Sequence, residues 1–142
     1  MVDSEALFIR KVTSWAQSRD NIAALALVGS YARNQARPGS DVDLVLICHD
    51  TSDYLGDVSW VKHFGEVKSL KLEDWGIVTS IRVLYAVGKE VEFGIAPLKW
   101  AGLPVDAGTQ QVVADGMMVL NDKRGILKRL VEAVSNSKLN DV

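Results

Sequence analysis

The sequence has 142 residues, with 16 Lys and Arg against 18 Asp and Glu and a formal net charge of −2. This length predicts one domain spanning residues 1–142, and the near balance of charge argues against a protein whose affinity depends on many nucleic-acid phosphate contacts. The single cysteine, Cys48, excludes an internal disulfide and a cysteine-based zinc cluster; the sequence has neither a basic leader nor an apolar stretch of membrane-spanning length, which predicts a soluble, cytoplasmic protein.

The first predicted element is an amphipathic helix. It is expected to begin at Asp3 or Ser4, since either residue can cap a helix amino terminus, and to end near residues 20–21. Apolar residues recur along it at helical spacing and are expected to pack on a sheet: Ala6, Leu7, Ile9, Val12, Trp15 and Ala16.

Residues 22–28 form an almost wholly apolar run, which predicts a buried central strand that ends at a Gly29-Ser30 turn. Gly29 would let the backbone approach a bulky anion, and Ser30 would offer a hydroxyl at the start of a short helix whose free N–H groups favour negative charge. We therefore expect this turn to bind phosphate. Arg33 and Arg37 flank the turn, and their guanidinium groups match phosphate oxygens, although a solvated helix face accounts equally well for both.

Two carboxylates, Asp41 and Asp43, begin the next predicted strand, residues 41–48. Side chains two positions apart on a strand point to the same face, so these carboxylates are expected to lie roughly 7 Å apart along the chain. Two such oxygen ligands suit Mg²⁺, and a pair of Mg²⁺ ions can hold the attacking and leaving oxygens of an in-line phosphoryl displacement. The turn and the acid pair would thus share one nucleoside triphosphate.

The remaining elements are expected to complete a mixed sheet. Residues 51–63 are expected to be helical or irregular. Three strands joined by glycine-containing turns are predicted at residues 67–72, 78–87 and 90–96. A helical turn, a short helix, a short strand and a closing amphipathic helix are then predicted at residues 97–101, 109–113, 116–120 and 124–134. The expected fold is α/β (α+β), with helices packed against a mixed β-sheet.

The pair Gly29-Ser30, followed by ten residues and then by Asp41 and Asp43 in an Asp-x-Asp pattern, resembles a known motif. It is similar to that of the DNA polymerase β-like nucleotidyltransferase superfamily, particularly its small bacterial stand-alone members. The resemblance implies a nucleotidyltransferase-type mixed sheet and a third carboxylate contributed by a later strand. Residues 89–97 resemble the segment that supplies this acid.

Within that segment, Glu92 matches the family's third acid. Alternation along the strand directs one set of side chains to the core: Val91, Phe93 and Ile95. The other set lies on the opposite face: Glu92, Gly94 and Ala96. The two small residues beside Glu92 are expected to leave room for a ligand. The resemblance implies that Asp41, Asp43 and Glu92 hold Mg²⁺ and that Glu92 acts as general base, by proximity to the acceptor.

Two choices stay open from the sequence. Glu90 has the same parity as Glu92 and is the alternative third acid. Arg82, on the preceding predicted strand, either approaches the site or pairs with Glu73 or another acid.

The function implied by the resemblance is Mg²⁺-dependent transfer of a nucleoside monophosphate, most simply AMP from ATP, to a hydroxyl of a small molecule or protein, with release of pyrophosphate. Larger members of the superfamily carry a helical domain after the catalytic one, so we expect the acceptor pocket here to be shared in a homodimer or with a partner subunit. Two alternatives are a non-catalytic nucleotide-sensing or partner-binding module and an antitoxin-like protein adenylyltransferase acting on a partner chain. The intact Ser30, Asp41 and Asp43 favour the enzyme.

Overall fold

The computed structural model describes residues 3–37 and 40–140, and within them the side chains of residues 5–37 and 40–136. The strands are β1 (Ile22–Val28), β2 (Val42–Cys48), β3 (Val67–Asp74), β4 (Thr79–Tyr85), β5 (Glu90–Pro97) and β6 (Met118–Asp122). They form one six-stranded sheet in the order β3-β4-β5-β2-β1-β6. Only the β2–β5 pair is parallel among these pairings. The predicted mixed sheet is confirmed.

The helices are α1 (Asp3–Gln17), α2 (Gly29–Ala32), α3 (Ser52–Leu55), α4 (Ala107–Asp115) and α5 (Ile126–Asn140), together with 3₁₀ helices at Ser59–Phe64 and Leu98–Ala101. All the elements expected from the sequence are therefore present, with ends shifted by a few residues. The capping role predicted for Asp3 or Ser4 concerns side chains outside the described ones. None of the helices in the described ranges is both long and apolar enough to cross a membrane.

One face of the sheet is covered by α1 and the 3₁₀ helix Ser59–Phe64. From α1, the side chains in this core are Phe8, Ile9, Val12, Trp15 and Ala16. The prediction that Leu7 faces the sheet is wrong, because its side chain is 58% exposed. Val12 marks the centre of the buried stripe, and five residues of helix turn Leu7 roughly 140° away from it.

The opposite face is covered by α4, α5 and the 3₁₀ helix Leu98–Ala101. Leu127, Leu130 and Val134 pack there, as predicted for the closing helix. Ala96 is also fully buried in this second core, so its small side chain accommodates packing instead of leaving room for a ligand. The carboxyl-terminal half of β5 therefore lies under the helices, and the ligand space begins at Gly94.

Candidate active site

The site begins where β1 gives way to α2. Residues of β1 are buried on both faces of the sheet, as an almost wholly apolar central strand should be. Gly29 follows directly, with φ of +73°, a left-handed conformation that glycine adopts without steric cost. The turn thereby brings its backbone against Asp43, which lies opposite Val28 in the β1–β2 pair.

Three carboxylates meet beside this turn. Asp43 on β2 lies directly opposite Glu92 on β5 in the parallel register, and Asp41 stands just before β2 on the same side as Asp43. The side chains of Asp41 and Glu92 are 36% and 25% exposed, so both carboxylates are accessible to a ligand. The structure thus brings together the three acids predicted from widely separated parts of the sequence.

The acids strongly influence one another's protonation. Burial raises the pKa of Asp43 to about 7, and the neighbouring carboxylates of Glu92 and Asp41 contribute to the same rise. Burial also raises the pKa of Asp41, with a further contribution from Glu90. Arg82 opposes both shifts. Burial and the neighbouring carboxylates therefore disfavour the charged forms of Asp41 and Asp43 more than Arg82 favours them.

Arg82 on β4 lies among the acids. The sequence left open whether Arg82 approaches the site or pairs with Glu73, and in the structure it does both. Its Nη1 atom is 3.8 Å from Asp41 and 3.5 Å from Glu90, and its Nη2 atom is 3.7 Å from Glu92. Its Nε atom is 3.3 Å from Glu73 on β3. One guanidinium therefore joins the catalytic candidates to an acid on the edge strand.

A cavity of about 310 Å³ opens beside the acids. Asp43 and Glu92 form part of its wall, with Gly29 and Arg33 also contributing. No sequence pattern indicated four further lining residues, which come from the region of the β3–β4 turn and from α4: Val78, Ser80, Val112 and Asp115. They belong to ordinary strand and helix patterns, and only the tertiary arrangement brings them to the cavity.

The two arginines after the turn have different environments. Arg33 lines the cavity, its Nε donates to Gln35 at 3.2 Å, and its aliphatic stem lies close to Gly116. Arg37 is exposed and does not line this cavity; its backbone N–H donates to Ser40 Oγ at 2.8 Å. Neither does the Ser30 side chain line it. Of the predicted phosphate-binding groups, Gly29 and Arg33 are thus the two that border the cavity.

The acid cluster suits a divalent cation in its chemistry. Asp41, Asp43 and Glu92 are the residues that could hold such an ion, since carboxylate oxygens are preferred ligands of hard cations such as Mg²⁺ and positive charge would favour their ionised forms. Within the described ranges, however, no three His, Cys, Asp or Glu side chains converge closely enough to hold an ion as they stand. Arg82 lies within 4 Å of two of the three acids, so it occupies part of the space between them.

Comparison with known proteins gives one family and a shared fold. A family model described as streptomycin adenylyltransferase matches residues 2–140. Among solved structures, an aminoglycoside 6-adenyltransferase from Bacillus subtilis is similar at 16% identity with a TM-score of 0.53, over 71% of this chain and 37% of that one. The polymerase core of TRAMP, an RNA surveillance complex, is similar at 17% identity with a TM-score of 0.51, over 65% of this chain and 30% of that one.

These structural likenesses show the fold, and the chain spans about a third of the length of each structure. A search of curated proteins finds no significant match.

Proposed function

The chain belongs to the streptomycin adenylyltransferase family, and on that premise we propose that it transfers AMP from ATP to a hydroxyl of a small-molecule acceptor and releases pyrophosphate. Family membership confirms the nucleotidyltransferase superfamily indicated by the sequence, and this family consists of enzymes. The observation that carries the proposal is the placement of Asp43 opposite Glu92 on parallel strands, beside the Gly29 turn.

The proposed reaction is an in-line displacement at the α-phosphorus of ATP. The acceptor oxygen forms a bond to this phosphorus, the bond from the phosphorus to the bridging oxygen breaks, and pyrophosphate leaves. Glu92 takes the proton from the acceptor hydroxyl, because the resemblance to the superfamily implies that the third acid lies close to the acceptor. Adenylylated acceptor and pyrophosphate are the products.

The other residues bind and orient the nucleotide. Asp41, Asp43 and Glu92 would hold Mg²⁺, in a two-ion site by analogy with the superfamily, and metal bound there would neutralise phosphate charge and polarise the phosphoryl oxygens. The Gly29-Ser30 turn and Arg33 bind the triphosphate, with Arg37 as a further candidate from the sequence. The 310 Å³ cavity between these groups accepts the nucleotide, since its polar groups meet apolar walls from Val78 and Val112.

The family and the charge of the site support the proposed acceptor class. The family name specifies streptomycin, and the similar Bacillus subtilis structure is named for an aminoglycoside. Polycationic acceptors of this kind suit a surface that carries Glu73, Glu90 and Glu92 beside the reacting centre. A hydroxyl on a cationic sugar is therefore the acceptor to test first.

The test is label transfer from α-³²P-ATP with Mg²⁺ to a panel of aminoglycosides that includes streptomycin, with pyrophosphate release measured in parallel. We expect label in the small-molecule fraction with the wild type and loss of at least about 100-fold with Asp43→Asn. Asp20→Asn, which alters an exposed aspartate in the turn after α1, is the matched control and should retain activity. If the reaction is repeated in a lysate and label appears only in a protein band, the acceptor is a protein and not a small molecule. Absence of label in every fraction would refute nucleotidyl transfer by this chain.

A further inference from the structure

Arg82 differs from an ordinary ion-pairing arginine in how its charge is shared. Its guanidinium lies 3.3 to 3.8 Å from the carboxylates of four acids on three separate segments, Asp41, Glu73, Glu90 and Glu92. A charge-assisted hydrogen bond is shorter, roughly 2.7–2.9 Å, and a firmly held arginine makes two parallel bonds to one carboxylate. Arg82 is therefore shared among the acids and not fixed to any of them.

The hydrogen bonding of Arg82 agrees with this description. Its Nε atom is buried and makes no hydrogen bond of acceptable geometry, although Glu73 lies within ion-pair distance. The side chain as a whole is 35% exposed, so the guanidinium has space on its solvent side. A buried donor without a hydrogen-bond acceptor carries a desolvation cost, which a small movement toward Glu73 would relieve.

The register of the sheet shows which directions are available for that movement. Glu92, Arg82 and Lys71 lie opposite one another on β5, β4 and β3, in one row across the sheet. Asp43 continues this row on β2, on the far side of Glu92 from Arg82. Arg82 thus stands between the acids that we assign to metal and Glu73 at the sheet edge, and it can shift away from the first by approaching the second.

We propose that Arg82 is a positioning residue that serves as an internal counter-cation: it neutralises Asp41 and Glu92 when no divalent ion is bound and moves to Glu73 and Glu90 when one binds. This inference rests on the proposed function, because it assumes that Asp41, Asp43 and Glu92 bind metal. Its consequence is that Arg82 competes with the metal, while Glu73 favours the metal-bound arrangement by attracting Arg82. The metal concentration needed to fill the site is then set by residues that do not ligate the metal.

Direct binding of Mn²⁺, followed by electron paramagnetic resonance without nucleotide, tests the proposal independently of activity. Arg82→Gln removes the competing cation, so its Kd for Mn²⁺ should fall by roughly 3- to 10-fold relative to the wild type. Glu73→Gln leaves Arg82 with only the metal-site acids and Glu90, so its Kd should rise by a similar factor. The opposite directions of the two changes distinguish competition from general damage to the site.

Lys71→Gln is the matched control for the loss of one positive charge. Lys71 lies opposite Arg82 on β3 and faces the same side of the sheet, but it is one strand further from the acids. Its removal should change the Kd by less than about 2-fold, since exposed charges at greater distance are screened. The Mg²⁺ concentration that half-saturates label transfer should shift in parallel with the Mn²⁺ Kd for Arg82→Gln and Glu73→Gln.

The outcomes separate this inference from the proposed function. If the wild type binds Mn²⁺ and both variants bind it equally well, or if Arg82→Gln binds it more weakly, Arg82 does not compete with metal and the inference is overturned while the enzyme assignment stands. If Arg82→Gln does not fold, an unchanged or lowered Kd in Glu73→Gln overturns the inference by itself. If the wild type neither binds Mn²⁺ nor transfers label, both proposals fail together.

Discussion

Gly29 and Asp43 lie so close together that Gly29 has no room for a side chain. A Cβ atom placed on Gly29 would collide with Oδ2 of Asp43 and stand 3.1 Å from its Cγ atom. Gly29 also adopts φ of +73°, which disfavours any residue with a Cβ. The turn that we propose for phosphate binding is therefore pressed against the carboxylate that we propose for metal binding, as one nucleotide bridging both would require.

Gly29→Ala should abolish label transfer, because the new methyl group must displace the Asp43 carboxylate. The left-handed backbone alone costs roughly 1–2 kcal/mol in the free energy of unfolding. Gly125→Ala separates the two effects, since Gly125 has φ of +69° and no atom within 4 Å of an added Cβ. Urea unfolding should show a loss of stability in both variants, while activity should be lost only in Gly29→Ala. Equal activity in the two variants would show that the contact with Asp43 has no catalytic importance.

The sequence predicted those parts of the site that are set by local pattern. An apolar run before Gly29 and alternation around Asp43 and Glu92 were enough to place the turn and the acids on strands. The register of the parallel pair, which brings Asp43 opposite Glu92, depends on tertiary packing and not on local pattern. The family resemblance was what associated Glu92 with Asp43. The fold class could be predicted for the same reason, since alternation and turn residues act within a few positions.

What the sequence did not predict depends on contacts between distant segments. The sequence left open whether Arg82 approaches the site or pairs with Glu73, and its position among four acids, which satisfies both, arises only when β2, β3, β4 and β5 are paired. Ser80 on β4 and Asp115 on α4 line the same cavity because α4 packs over that face of the sheet. Ala96 on β5 illustrates the same limit. It was expected beside the ligand, but it lies in a core that is completed by helices later in the chain.

Asp43→Asn should stabilise the metal-free protein at pH 8. Burial and the nearby acids raise the pKa of Asp43 from 3.8 in the unfolded chain to about 7 in the fold. The folded protein therefore holds this proton more tightly than the unfolded chain does. The resulting stabilisation is fully present below about pH 4 and is lost as the pH rises through about 7. Asparagine carries no charge, so the free energy of unfolding at pH 8 with EDTA should rise by roughly 1–2 kcal/mol after allowance for solvent screening. The gain should disappear near pH 4, and Mg²⁺ should stabilise only the wild type. A variant less stable than the wild type at pH 8 would contradict the charge crowding described above.

Glu92→Gln and Glu90→Gln should differ sharply in catalysis. Glu92 lies opposite Asp43, whereas Glu90 lies two residues earlier, opposite Leu84. Removal of a general base that also ligates metal should lower kcat by at least about 100-fold, with a smaller effect on the Kd for ATP. Glu90→Gln keeps the size of the side chain and removes no acid that we assign to metal, so its kcat should fall by less than about 10-fold. If Glu90→Gln shows the larger loss, the third acid is Glu90 and the assignment of Glu92 is wrong.

Lys123→Met should destabilise the junction between α1 and the sheet without altering the site. The Nζ atom of Lys123 donates to the carbonyl oxygens of Ala16 at 3.0 Å and Ile22 at 2.8 Å, and also to that of Arg19. These carbonyls include the carboxyl end of α1, where a positive charge is favoured, so the free energy of unfolding should fall by roughly 1–3 kcal/mol. Lys128→Met, at an exposed position on α5, should change it by less than about 0.5 kcal/mol. Urea unfolding measures both; equal values would show that Lys123 makes no net contribution, and a changed Kd for ATP would show that its effect reaches the site.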